Sequence, residues 1–191
     1  RYERAVRGLM DLFQYHGKGR MAESALDAIA HIAHPSSVPL LVAQLASKNA
    51  TRKGIAVEGL ARAADRGKLT ELQTALATDR NPSVQLAGSF ASVMLSEVGV
   101  EGLARIVEAL QNPRLREQAR WYVAEAAPER TQAFARYLQD PNPLVRTAVV
   151  DALGLSDDPA ALALVQPMAS DRDLPVARAV ERALARLRQV K

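Results

Sequence analysis

The chain has 191 residues, 48% of them hydrophobic but only 4% aromatic, and no cysteine. Without cysteine there is no disulfide, thiolate metal site or cysteine nucleophile, and apolar content carried by alanine and leucine favours helices over sheets. Twenty Arg and five Lys against 21 Asp and Glu give a net charge of +4, and from Asp171 to Lys191 six basic residues stand against three acidic ones, a run that suits an acidic partner or a solvated terminal face.

The predicted elements come in pairs. A helix over Glu3 to Tyr15 is followed by one anchored at Met21, with Met21, Ser24, Ala25, Ala28 and Ile29 on one face at 100° per residue. After the turn His34-Pro35-Ser36, a short helix over Val38 to Ala46 leads to a second anchored at Arg52. The third pair runs from Leu69 to Ala77, turns at Asn81-Pro82 and is anchored at Val84; the fourth runs from Val100 to Leu110, turns at Asn112-Pro113 and is anchored at Leu115. In the fifth, Thr131 to Leu138 precedes Asp140-Pro141 and a helix whose face is Val145, Ala148, Val149, Ala152 and Leu153. In the sixth, Asp157-Asp158-Pro159 opens a helix over Ala160 to Ala169, in which Pro167 should produce a bend, and Val176, Ala179, Val180, Ala183 and Leu184 form the last face. Pro39, Pro143 and Pro175 fall in first turns, where a missing N–H costs little.

The anchors at 21, 52, 84, 115, 145 and 176 are separated by 31, 32, 31, 30 and 31 residues. A beat this even means internal repetition. It predicts one all-α domain over 1–191, with repeats at about 1–34, 35–66, 67–97, 98–127, 128–156 and 157–191. Small residues dominate the fourth and seventh positions after the anchor, which lets neighbouring helices approach closely.

The fifth repeat, Asp140-Pro-Asn-Pro-Leu-Val-Arg-Thr-Ala-Val-Val-Asp-Ala-Leu-Gly154, followed by an Asp-Pro turn and a short helix, resembles the HEAT repeat, in the short HEAT-like form of phycobilisome lyases. The resemblance spans nearly the whole chain. It implies a right-handed, armadillo-like α-solenoid whose second helices line the inner, concave side. It also implies a ladder between an Asp before the turn and an Arg after the anchor: Asp140 and Arg146 fit it, while Asp79, Asp171, Arg116 and Lys53 supply one half each. The family favours an acidic residue six positions after the anchor. Asp27, Glu58 and Asp151 comply; Phe90, Trp121 and Arg182 do not.

Those departures supply the candidate binding residues. Leu86, Phe90 and Met94 follow at i, i+4 and i+8, and Trp121, the single tryptophan, stands at the matching place one repeat on. If exposed, the rings form a partner site in which Glu would be tolerated at position six; otherwise the curvature of the stack buries them against the next helix. Arg178, Arg182 and Arg186 share an edge in the last repeat, either to grip carboxylates or phosphates or to keep a terminal cap soluble.

No catalytic, cofactor or metal motif is apparent. Asp27, His31 and His34 share a helical face but have no fourth ligand, and read as solvated side chains at a helix end. HEAT-like hydroxylases hold iron with His-Glu pairs, and no His-Glu dipeptide occurs. Trp121 and Glu125 faintly echo the Trp and Asp of HEAT-like alkylpurine DNA glycosylases, but +4 is a modest charge for a DNA-wrapping surface. No apolar run reaches the roughly 18–20 residues of a membrane helix, so no membrane insertion is expected. The sequence opens at Arg1 without initiator Met or signal peptide, as a fragment of a longer chain would, and of the compartments open to a cysteine-free protein the cytoplasm is favoured. The expectation is a non-enzymatic scaffold whose inner helices bind a protein helix or extended segment with an acidic flank. A nucleic-acid-binding protein and a lyase-like or chaperone subunit are the alternatives.

Overall fold

The computed structural model describes residues 2–64, 66–96, 100–128, 130–156 and 158–189. Arg1, Asp157 of the expected Asp157-Asp158-Pro159 turn, and Lys191 of the basic C-terminal run lie outside them. Among the described residues there are twelve α-helices and no strand. The first helices of the six pairs are α1 (Tyr2–His16), α3 (Val38–Gln44), α5 (Leu69–Leu76), α7 (Val100–Ala109), α9 (Thr131–Phe134) and α11 (Pro159–Val165). The second helices are α2 (Arg20–Ile32), α4 (Ala50–Arg62), α6 (Pro82–Leu95), α8 (Arg116–Ala126), α10 (Pro143–Leu153) and α12 (Leu174–Leu187).

Local chemistry sets the beat. Three residues before each anchor from the second repeat to the fifth stands an Asn whose side-chain oxygen accepts a backbone N–H just ahead: Asn49 from Arg52, Asn81 from Ser83, Asn112 from Arg114 and Asn142 from Leu144. Asn49, Asn81 and Asn142 thereby cap α4, α6 and α10 and satisfy donors that a helix start leaves orphaned, while Asn112 closes the turn ahead of α8, whose own N-cap is Leu115. Two residues earlier, Ser47, Asp79, Asp140 and Asp171 each accept the N–H two residues on, which turns the chain into the helix. Proline occupies the first turn of α6, α10, α11 and α12.

The first helices of the last two repeats do not stay α-helical. After α9 the chain tightens into a 3₁₀ segment at Ala135–Gln139, and after α11 into one at Gln166–Ser170. Pro167 lies in the second of these, but the fifth repeat makes the same change without proline. The break therefore belongs to the repeat, and Pro167 fits a bend that is already there.

Contacts divide the chain into two compact units, Arg1–Gly102 and Leu103–Lys191. In the first, α4 packs between α2 and α6, and Leu26, Ile29, Leu41, Val57, Leu60 and Leu72 are buried. In the second, α10 packs between α8 and α12 over Ile106, Tyr122, Phe134, Val149, Leu153 and Val180. The predicted faces of the fifth and sixth repeats are buried as expected. The first repeat is one residue out of register. Met21 is exposed and Ser24 faces solvent, while Ala22, Ala25, Leu26, Ile29 and Ala30 form the buried face. The anchor is Ala22, which moves Asp27 off the sixth position.

Small residues set the helix spacing. A Cβ on Gly59 of α4 would lie 2.8 Å from Ala30 Cβ, 2.9 Å from Ala30 Cα and 2.9 Å from Leu41 Cδ1; one on Gly154 would meet Ala183 at 2.7 Å and 2.8 Å. Gly54, in the same helix as Gly59, has open space instead. We expect Gly59→Ala to destabilise by about 1–3 kcal/mol, because backbone must shift. Gly54→Ala should gain about 0.5–1 kcal/mol from helix propensity alone. Denaturant unfolding of the two variants should move in opposite directions; shifts of the same sign would mean that α2 and α4 do not touch at Gly59.

Two rungs of the expected ladder form. Lys53 Nζ lies 2.6 Å from Asp79 Oδ2. Arg146 donates from Nε and Nη2 to both Asp171 oxygens at 2.8 Å and 2.9 Å, from Nη2 to Asp173 at 2.6 Å, and from Nη1 to the Asp140 carbonyl at 2.8 Å. These bonds hold the Asp171 carboxyl below its ordinary pKa, and the Lys53 hydrogen bond does the same for Asp79. A third link has reversed polarity: the Asn49 amide donates to the Glu23 carboxylate at 2.9 Å.

Candidate partner-binding groove

Between α8, α10 and α12 lies a groove of about 300 Å³ lined by Leu110, Arg116, Arg120, Leu144, Thr147, Ala148, Asp151, Pro175, Arg178 and Arg182. All belong to the second unit. The repeat explains the arrangement. Arg116, Thr147 and Arg178 are spaced by 31 residues, as are Arg120, Asp151 and Arg182, so each triplet crosses the groove with one residue from each second helix. Leu144 and Pro175, from the first turns of α10 and α12, add an apolar wall with Leu110.

The groove holds four guanidinium groups and one carboxylate. Asp151 is engaged by Arg182 at 2.9 Å. Arg120 lies 3.7 Å from Glu117, a pair exposed enough to contribute little. Arg116 is the informative member. It occupies the ladder position, yet it does not meet Asp140; its Nε donates to the Leu110 carbonyl at 2.9 Å, as Arg146 Nη1 does to the Asp140 carbonyl. Arg178 is exposed and forms no ion pair among the described residues. Thr147 Oγ1 is buried without a hydrogen-bond partner. Such a surface can bind an anionic ligand by charge-assisted hydrogen bonds.

Of the residues singled out in the sequence, Arg178 and Arg182 line the groove, and Arg182 is already paired. Arg186 is exposed on α12, one turn beyond the lining residues. Trp121 follows Arg120 on α8 and is 63% exposed, but is not part of the lining. The expected exposed stripe on α6 requires correction. Leu86 and Phe90 are buried, at 5% and 0% exposure, and Met94 is half-buried. α6 packs along α4 and α5, and the Arg62 guanidinium of α4 lies 5.7 Å above the Phe90 ring. The surface reading took one buried face for α6, whereas this helix is buried nearly all round.

The sequence reading assigned Arg116 to the ladder and passed over Arg120 and Thr147. The 31-residue spacing of the two triplets was the signal available. His31 Nδ1 bonds the Asp27 carbonyl at 2.9 Å, and His34 Nδ1 accepts the Ser36 N–H at 3.2 Å as the cap of the 3₁₀ turn Pro35–Ser37. Among the described residues no three His, Asp or Glu side chains converge as metal ligands would, and no helix is long and apolar enough to cross a membrane.

Helix pairs stacked at a fixed period, with caps and ladder bonds recurring from repeat to repeat, define the α-solenoid class. Residues 100–185 match the family model for HEAT repeats. No curated protein matches it. Similar solved structures include an engineered protein at 18% identity, covering 96% of each chain with a TM-score of 0.42. Human deoxyhypusine hydroxylase in complex with glycerol is 17% identical over 95% of this chain and 89% of that one, with a TM-score of 0.38. A designed armadillo repeat protein is 16% identical over 94% and 99%, with a TM-score of 0.37. The likeness to HEAT repeats rests on the repeat pattern and the matched residues, not on these structures.

Proposed function

We propose that the chain is a non-enzymatic scaffold that holds a protein partner against the exposed faces of its second helices, at the groove of the second unit. The supporting observation is the pair of triplets that carry four arginines into one groove beside an apolar wall. HEAT-type arrays present such surfaces because each repeat contributes one helix to them. No nucleophile–base pair accompanies the arginines in the lining, so the groove offers binding chemistry rather than catalysis.

Site-specific photo-crosslinking tests this reading. A crosslinker replaces Leu144, which is 47% exposed and lines the groove, and a control crosslinker replaces the exposed Gln132 on α9. In an extract of the source cells, the Leu144 probe should give one identifiable protein adduct that excess unmodified chain competes away, and the Gln132 probe should not. Equal adducts from both positions, or adducts with nucleic acid alone, would refute the scaffold reading.

A further inference from the structure

The two layers of the groove differ in charge balance. In one, Asp151 holds Arg182, and Arg120 has Glu117 beside it. The other, formed by Arg116, Thr147 and Arg178, contains no carboxylate. There Arg116 commits only Nε to a carbonyl, and Arg178 has no ion-pair partner among the described residues.

We infer that this layer seats the side-chain carboxylates of an acidic, extended segment of the partner, a reading that rests on the scaffold function proposed above. An extended chain presents successive side chains on opposite faces, with those on one face roughly 7 Å apart. A segment alternating acidic and apolar residues, laid across the helices, places carboxylates against Arg116 and Arg178 and rests apolar groups on the Leu144 and Pro175 wall. Guanidinium forks pair with carboxylates in two-point hydrogen bonds. The lining favours a peptide over a nucleic acid strand. No aromatic ring is among the lining residues, so bases find no stacking platform, while the apolar wall offers nothing to a phosphate backbone.

The probe is a fluorescently labelled peptide in which glutamate alternates with leucine and proline. Its binding to the full chain is read by anisotropy at low and moderate salt. A matched peptide with glutamine for glutamate, a single-stranded and a duplex oligonucleotide run in parallel. The glutamate peptide should bind and weaken with salt, and the glutamine peptide should bind at least about tenfold more weakly. Arg178→Ala should cost about tenfold, with unchanged circular dichroism. Arg186→Ala removes the same charge from the same helix outside the groove and should have no effect. The inference is overturned if the glutamate peptide does not bind, if Arg186→Ala weakens it as much as Arg178→Ala, or if an oligonucleotide binds more tightly with the same dependence on Arg178. If the peptide fails while the Leu144 crosslink still captures its protein, the acidic-segment inference falls and the scaffold reading stands; if both fail, both fall.

Discussion

Arg146→Ala is expected to destabilise the second unit by about 3–5 kcal/mol, the loss that follows when one partner of a buried ion pair is removed. The guanidinium keeps only 6% of its side-chain surface and the Asp171 carboxylate only 9%. Truncation leaves that carboxylate with the Asp173 N–H at 2.9 Å as its remaining hydrogen bond, and the Asp140 carbonyl loses its donor. Lys53→Ala breaks a single bond whose partners keep 19% and 12%, so its cost should be smaller. The pH dependence follows from Asp171, whose pKa is lowered in the folded state, mainly by the Arg146 hydrogen bond. A carboxyl lowered on folding contributes stability that is complete above its unfolded value, near 3.9. That contribution is lost as pH falls through the lower folded value. Wild type should therefore lose stability as pH drops below about 4, and Arg146→Ala should lose less over the same interval. Denaturant unfolding of both proteins at neutral pH and near pH 3 checks this. A neutral-pH loss under about 1 kcal/mol, or an unchanged acid slope, would show that the pair is not carrying the inter-repeat contact.

The repeat was legible because its determinants are local. Asn caps three residues before the anchor and Asx turns two residues earlier are short-range chemistry, and the Asn81-Pro82, Asn112-Pro113 and Asp140-Pro141 turns lie in the string of residues itself. Where that punctuation is missing, the register slipped. The Gly17-Lys18-Gly19 link before α2 has no such cap, so periodicity alone had to choose between the adjacent apolar residues Met21 and Ala22. The ladder was half legible. Residue types identified Arg116, Lys53 and Arg146 as candidates, but which carboxylate each meets depends on how repeats stack, and Arg116 meets none of the expected ones. The groove exists only once three helices stand side by side, so no single helix pattern reveals it.

The exposure of the two aromatic departures was the point the sequence left open, and it yields the sharpest expected difference between single variants. Phe90→Glu should cost more than about 3 kcal/mol, because Phe90 is fully buried. Removal of a core ring costs about 3–5 kcal/mol, and the new carboxylate would have to leave water. The Arg62 guanidinium above the ring already holds Glu58 at 3.4 Å, so a carboxylate here must compete for it. Phe90→Leu, which keeps the site apolar, should lose much less, and this separates the burial of charge from the loss of the ring. Trp121→Glu should change stability by no more than about 0.5 kcal/mol, since its side chain faces solvent. Position six of the repeat thus carries a core residue in the third unit of the array and a surface residue in the fourth. Thermal and denaturant unfolding of the three variants decides the matter. If Phe90→Glu folds within about 1 kcal/mol of wild type, the ring is accessible and the α6 stripe returns as a docking surface; if Trp121→Glu unfolds the chain, the indole is a packing element and not a surface group.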